Sequence, residues 1–281
     1  MRYFIKQILL IIAPGYIKQR VFKHYNGLNW KTLNHSEFDA ELLLLEFFSD
    51  TNTVFFDIGA NKGEYGFYAE QIINSKNIYL FEPEKTLYAQ LKAIFCKCHV
   101  LNIALSNTIG KHKFKIPFIN NKLDNCLSSL ETDRTEDNET NAIIYEVNTN
   151  TLDNFVTQNN ISPSLIKIDV EGHELSVIEG AEITIKKYKP TLIIEIEQRH
   201  HIHFDVNELF NNFKNLGYNC FYYSKQHAQL FSFEEKKYLT NDISFFGTKN
   251  YINNYIFVHS NNQFVQPIEE INKAIKLKIS N

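Results

Sequence analysis

Along this chain, short runs of β-branched and aromatic residues end in an acid or a turn, and stretches with helical spacing of apolar positions follow them. Residues 53–58, 78–82, 99–105, 165–170 and 190–196 predict core strands. Residues 64–74 and 84–95 predict helices between them. So does a stretch from Glu174 that carries Leu175, Val177, Ile178 and Ile185. Residues 37–48 hold Phe38, Leu42, Leu45 and Phe48 among acids, which predicts an amphipathic helix leading into the first strand. Strand and helix alternate, so the expected fold is α/β, a mostly parallel sheet with helices on both faces.

The flanks read differently. In residues 2–13, Phe4, Ile5, Ile8, Leu9, Ile11 and Ile12 share one helical face, and Pro14-Gly15 is expected to stop the helix. The run is too short to span a bilayer and no small-x-small cleavage site follows. It is expected to dock on the protein's own body. The other reading is an interfacial membrane helix helped by Lys18, Arg20 and Lys23. Residues 111–116 alternate and predict an extra strand, and 143–148 another. Between them, 120–141 is polar and charged, the composition of a mobile loop or lid. A short helix is expected from Thr151, and a longer one from a cap at Asp205 through Leu216. Residues 218–223 and 243–248 predict a closing antiparallel hairpin of aromatic strands. Residues 251–281 read as a tail with a basic helix around Lys273, Lys276 and Lys278. The expected division is 1–49 helical extension, 50–250 main domain and 251–281 tail.

A net charge of -3 over 281 residues argues against a dedicated nucleic-acid binder. Cys96, Cys98, Cys126 and Cys220 lack the spacing of a disulfide framework or zinc site, so reduced thiols and a cytoplasmic setting are expected.

The chemistry centres on residues 57–63, Asp-Ile-Gly-Ala-Asn-Lys-Gly, between the first strand and its helix. Glycines here permit a tight turn and close approach to a ligand at a helix N-terminus. A dinucleotide fingerprint, Gly-x-Gly-x-x-Gly, matches only at Gly59; Asn61 and Glu64 hold the other two places, and Glu64 would oppose a pyrophosphate. S-adenosylmethionine carries no phosphate and a sulfonium cation, which suits Asp57. Glu82 ends the second strand, where a carboxylate can accept both ribose hydroxyls.

These motifs, with Phe81-Glu82-Pro83, residues 102–106, Thr151-Leu152-Asp153, residues 167–174, Pro190 and Glu195, resemble the FkbM family of S-adenosylmethionine-dependent methyltransferases over about residues 50–200. The resemblance implies a Rossmann-like class I methyltransferase fold with a mostly parallel seven-stranded sheet, and methyl transfer, usually to oxygen. It implies Asp57, Gly59, Asn61 and Gly63 in the cofactor loop, Glu82 at the ribose, and Ile103 and Ala104 near the adenine. Gly66 replaces the usual serine or threonine. Family acceptors include small metabolites, glycans and glycolipids.

Methyl transfer to a hydroxyl needs positioning and a proton acceptor. Asp169, Glu171, His173, Glu174 and Glu195 fall at the ends of the fourth and fifth strands, where such sheets bind ligands. His173 is the expected base, oriented by Asp169 or Glu171; its bland reading, like that of Glu174, is a place in a helix first turn. Asp169 with Glu195 is the pair for a divalent cation, a reading not favoured because no third ligand is spaced for it. His200, His201 and His203 read as a solvated loop near the acceptor mouth. The expected function is O-methylation of a glycan, glycolipid or other hydroxylated acceptor, as in polysaccharide biosynthesis. The alternatives are an inactive cofactor-binding scaffold and, further off, an NAD-linked oxidoreductase. Expected partners are the acceptor and no nucleic acid, with peripheral contact with the inner membrane face as the other reading of the N-terminal helix; the oligomeric state is left open.

Overall fold

The computed structural model describes residues 12–33, 38–201, 206–233, 248, 251–262 and 266–280. In order come α1 (Pro14–Val21), α2 (Glu41–Phe48), β1 (Phe55–Ile58), α3 (Glu64–Ala69), β2 (Ile78–Phe81), α4 (Lys85–Ile94) and β3 (His99–Leu101). Then follow β4 (Ala104–Leu105), β5 (Gly110–Ile119), β6 (Lys122–Leu123), β7 (Glu139–Asn150) and α5 (Leu152–Asn159). The chain continues through β8 (Leu165–Ile168), α6 (Glu174–Glu179), α7 (Glu182–Tyr188), β9 (Thr191–Glu195) and α8 (Val206–Asn215). It ends with β10 (Tyr218–Ser224), β11 (Gln229–Ser232), β12 (Asn254–His259) and α9 (Ile268–Ser280).

Among the described residues, one eight-stranded sheet has the order β11-β10-β12-β9-β8-β1-β2-β3, and a second, four-stranded sheet the order β4-β7-β5-β6. β9, β8, β1, β2 and β3 run parallel. β12 runs antiparallel to β9 and to β10, and β11 antiparallel to β10. The sheet is therefore mixed and larger than the seven mostly parallel strands expected. The short turn between β10 and β11 permits only an antiparallel pair. The closing partner of β10 is β12, within the segment read as a tail. Of the expected strand 243–248, only Thr248 is described.

Strand alternation divides the core. Phe55, Leu80, Leu165 and Ile193 face α2, α3 and α4 on one side, where Ile271 and Ile275 of α9 also pack. Phe56, Ile58, Phe81, Ile166 and Ile194 face α5, α6, α7 and α8 on the other. The helical run breaks at Ala13, and Pro14 opens the next helix at its first turn, a place where its missing N–H costs nothing. The buried Phe22 ring then stacks on Phe67 at 4.5 Å, tying the N-terminal segment to α3. Of the expected helix 2–13, residues 2–11 lie outside the described residues, as does Asp205. No helix among the described residues is long and apolar enough to cross a membrane.

Two predicted elements are divided, each for a local reason. Residues 99–105 split at Asn102, whose side-chain amide donates to Glu82 O and Pro83 O at 2.9 and 3.0 Å. That bond sends β4 into the second sheet. The helix expected from Glu174 through Ile185 breaks at Gly180, where a Cβ would stand 2.0 Å from Ser106 O. Asp153 then accepts from Ile183 N and Thr184 N and caps α7.

Candidate active site

The turn after β1 is held to β2 by backbone bonds: Gly59 N and Ala60 N both donate to Phe81 O, at 3.1 and 3.0 Å. Gly59 has φ +84°, and a Cβ there would meet the Asp169 carbonyl oxygen at 1.8 Å. Glycine thus lets this loop lie directly against the end of β8. Gly63, at φ +92°, starts α3 with the rim of the Phe95 ring 2.6 Å from where its Cβ would be. Glu82 braces the loop from the side: its carboxylate accepts from Asn61 N at 2.8 Å and from Glu84 N at 2.7 Å.

Above this floor is a cleft of about 300 Å³. Asp57, Gly59, Asn61, Glu82, Ile103 and Ala104 line it, and so do Asp169, Glu171 and His173 from the far side. Gly63 and Glu195 stand back from its wall. Four polar atoms in the wall are buried without a hydrogen-bond partner among the described residues: Asp57 Oδ2, Asn61 Oδ1, Tyr65 OH and Ser128 Oγ. Folded chains rarely leave such atoms unpaired, so the set fits a polar ligand. Acids crowd the same wall at Asp39, Asp57, Glu64, Glu82, Asp169 and Glu171, with Lys62 the basic residue among them. Burial pushes the Asp57 carboxyl up to about 7, against the pull of Lys167. It pushes Glu82 up to about 8, against its two backbone donors. Groups poised this way take up their charge when a cation binds. The unpaired oxygens and the acidic wall fit an uncharged nucleoside joined to a sulfonium, and not a pyrophosphate.

Beneath the cleft lies Lys167, fully buried on β8, a residue whose importance strand periodicity conceals. Its Nζ donates to Asn254 Oδ1 at 2.8 Å, lies 3.5 Å from Asp169 Oδ2, and sits over the Tyr65 ring. Burial alone would lower its pKa, but Asp169, Glu195, Asp39 and Glu41 together raise it. Glu195, for its part, accepts from Asn253 Nδ2. The carboxylates considered for a metal therefore each have a protein partner. Among the described residues no group of three or more His, Cys, Asp or Glu side chains is arranged to hold a metal ion.

The polar stretch read as a lid is a structured insert. β5 and β7 pair from Gly110↔Thr149 to Ile119↔Glu139, and the chain between them folds back over the β8–α6 loop. Ser129 Oγ donates to Val170 O at 3.3 Å, and Arg134 Nη1 donates to Glu171 O at 2.6 Å. Glu131 Oε1 lies 2.6 Å from His173 Nδ1. On the opposite edge of the ring, Ser106 Oγ lies 2.9 Å from His173 Nε2. The carboxylate at His173 is thus Glu131, not Asp169 or Glu171. Asp169 is turned toward Lys167, and Glu171 has a left-handed backbone, φ +54°, held by Arg134. The hydrogen bond from His173 brings the Glu131 carboxyl below its ordinary pKa.

Glu174 and His201 have structural partners. Glu174 Oε1 accepts from Gly172 N and Val170 N at 3.0 and 3.2 Å, and its Oε2 lies 3.1 Å from His201 Nε2. Burial and the nearby Arg134 and Arg199 guanidinium groups push the His200 pKa down to about 3. His201 is buried, so the reading of a solvated loop fails at both positions. His203 lies outside the described residues. Ser106, Glu131, Arg134 and Lys167 are the residues that sequence reasoning left without a role.

A family model, the methyltransferase FkbM domain, matches residues 57–220. The fold is similar to a crystal structure of methyltransferase FkbM from Methylobacillus flagellatus KT, with a TM-score of 0.48 and 15% identity, over 83% of this chain and 48% of that one. The chain spans about half the length of that protein. No curated protein matches the chain.

Proposed function

The chain belongs to the FkbM methyltransferase family, and from that premise we propose that it methylates a hydroxyl of a neutral acceptor, a glycan or another polyol, with S-adenosylmethionine as donor. The observation that carries this reading is the unpaired, buried Asp57 Oδ2 and Asn61 Oδ1 beside Glu82 at the carboxyl ends of β1 and β2. In a doubly wound sheet that is where a nucleoside lies. The acid-lined wall favours a cationic donor and disfavours both NAD and an acceptor with a phosphate near its reacting oxygen.

Asp57 and the Gly59 turn would hold the donor's polar groups, Glu82 its ribose hydroxyls, and Ile103 and Ala104 its adenine face. When bound, S-adenosylmethionine supplies a methyl group already activated for displacement. The chain then has to place the acceptor oxygen and receive a proton. An acceptor oxygen placed there would take that methyl group, with the demethylated donor as the leaving group. The hydroxyl proton passes to His173 Nε2.

Thermal shift with S-adenosylmethionine, its demethylated product and NAD tests the donor. A ligand at 100 times its dissociation constant stabilises by about 2.7 kcal/mol. Stabilisation by the first two and none by NAD is expected; the reverse sinks the reading. Label from the methyl group should then appear in the neutral polysaccharide of a cell-envelope extract. A protein that binds the donor but labels no acceptor there is a binding module, not a transferase.

A further inference from the structure

We infer that Glu131, brought to the site by the polar insert, is a positioning residue that aims His173 at the acceptor hydroxyl; the inference rests on the methyl-transfer reading above.

The carboxylate sits 2.6 Å from Nδ1, on the side of the ring away from Ser106. A carboxylate accepts, so the proton of a neutral imidazole resides on Nδ1 and the lone pair on Nε2. That lone pair meets a hydroxyl, Ser106 Oγ, at 2.9 Å. His173 is also part of the cleft wall, so an acceptor hydroxyl can take the serine's place at Nε2. Once Nε2 gains the proton, the ring's positive charge already faces an anion across Nδ1–H. This is the role a buried carboxylate plays behind a catalytic histidine in other enzymes.

Glu131 is held in place for this task. Its backbone N–H donates to Ser129 Oγ at 3.1 Å, and Ser129 pairs with Lys115 by backbone bonds of 2.9 and 3.0 Å. Lys115 Nζ lies 2.8 Å from Glu139 at the start of β7. Other charged groups surround the pair. Arg134 and His201 act on Glu131 from the insert and from the loop after β9. Glu171 in the β8–α6 loop and Glu174 at the start of α6 lie on either side of His173 in sequence. Neither of those two carboxylates bonds its ring, so the task falls to Glu131.

The test uses the full chain with the ring nitrogens labelled, His173 being assigned by loss of its signals in His173→Gln. In wild type the neutral ring should show protonation at Nδ1. In Glu131→Gln its titration midpoint should move to lower pH, because the anion that favours the charged ring is gone. At saturating S-adenosylmethionine the initial rate of methyl labelling of the neutral polysaccharide fraction should fall roughly ten- to a hundredfold. That is part of the about 10²–10⁴ that a positioned base contributes. Donor affinity by calorimetry should stay within about twofold, and Glu131→Asp should recover part of the rate. A Glu131→Gln ring that titrates as in wild type overturns the inference, and so does an unchanged rate. Should Glu131→Gln not fold, an unmoved titration in Glu131→Ala overturns it equally. If wild type labels no acceptor, the methyl-transfer reading fails by itself, and the ring titration still decides whether Glu131 governs His173.

Discussion

The Gly59 α-carbon lies so close to Asp169 that a Cβ on it would stand 1.8 Å from the Asp169 carbonyl oxygen. Two strands meet there, β1 through its loop and β8 through the carbonyl of the residue that follows it, and they fix the depth of the cleft. Gly59→Ala adds the cost of a left-handed backbone, about 1–2 kcal/mol, to an overpacking cost of about 1–3 kcal/mol. A loss of about 2–5 kcal/mol is expected in urea unfolding. A variant within about 0.5 kcal/mol of wild type would show that the loop moves freely off β8.

That junction was legible in the sequence because all its signals are local. An apolar run, an acid and two glycines within residues 54–63 define β1, the turn and α3. The other parallel strands, β2, β3, β8 and β9, follow the same rhythm. β12 was not legible. Its residues 254–259 are apolar and β-forming, but their partner β9 lies about sixty residues earlier, and pairing over that distance leaves no periodic trace. The insert failed for another reason. Its polar composition predicts a mobile loop, yet its order comes from polar and charged groups that find partners: Glu131 with His173, Lys115 with Glu139, Arg134 with Glu136 and the Glu171 carbonyl. Polar residues that find such partners look, in sequence, like polar residues that find water.

The buried carboxyls of Asp57 and Glu82 make stability and binding depend on pH in opposite senses. Their folded values of about 7 and about 8 lie above the roughly 4 of an unfolded carboxyl. Between those values the unfolded chain has lost protons that the folded chain keeps. Their contribution is therefore complete below about pH 4 and falls away as pH rises to about 8. A cationic ligand favours the ionised forms, so donor binding at neutral pH should release protons. Calorimetry in two buffers of different ionisation heat measures that release. Heats that do not differ between buffers, in wild type and in Asp57→Asn alike, would contradict it.

Lys167 offsets the acids around it, and its removal should be felt most where they are ionised. Lys167→Met keeps the volume but leaves Asp169, Glu195 and Asn254 without their cation or donor. Removing one partner of a buried ionic group costs about 3–5 kcal/mol. The lysine's raised pKa means that its own charge persists throughout the range from pH 5 to pH 9. Any pH dependence of the loss then comes from the carboxylates, and the loss should be larger at pH 8 than at pH 5. Thermal unfolding at both values checks this. An equal loss at both would mean that the lysine acts by packing alone.

The arm of Arg134 occupies the space beside Gly172, and that gives a prediction about coupling. Gly172 has φ +94°, and a Cβ on it would come within 2.2 Å of Arg134 Nη1. The same Nη1 donates to the carbonyl of Glu171, a non-glycine residue at φ +54°. Such a residue stores about 1–2 kcal/mol of backbone strain, and it keeps that conformation only if its surroundings hold it. Gly172→Ala should therefore do two things: strain its own backbone and push the guanidinium away from Glu171. Arg134→Ala removes the hydrogen bond and leaves the space empty. In the Arg134→Ala background, the alanine at 172 keeps its strain but meets no guanidinium. Its cost should then be smaller by about 0.5–3 kcal/mol, the range seen for residues in contact. A cycle of the two single variants and the double variant in urea unfolding measures that difference. Additive losses would mean that Arg134 bends aside at no cost and does not hold the loop that bears His173.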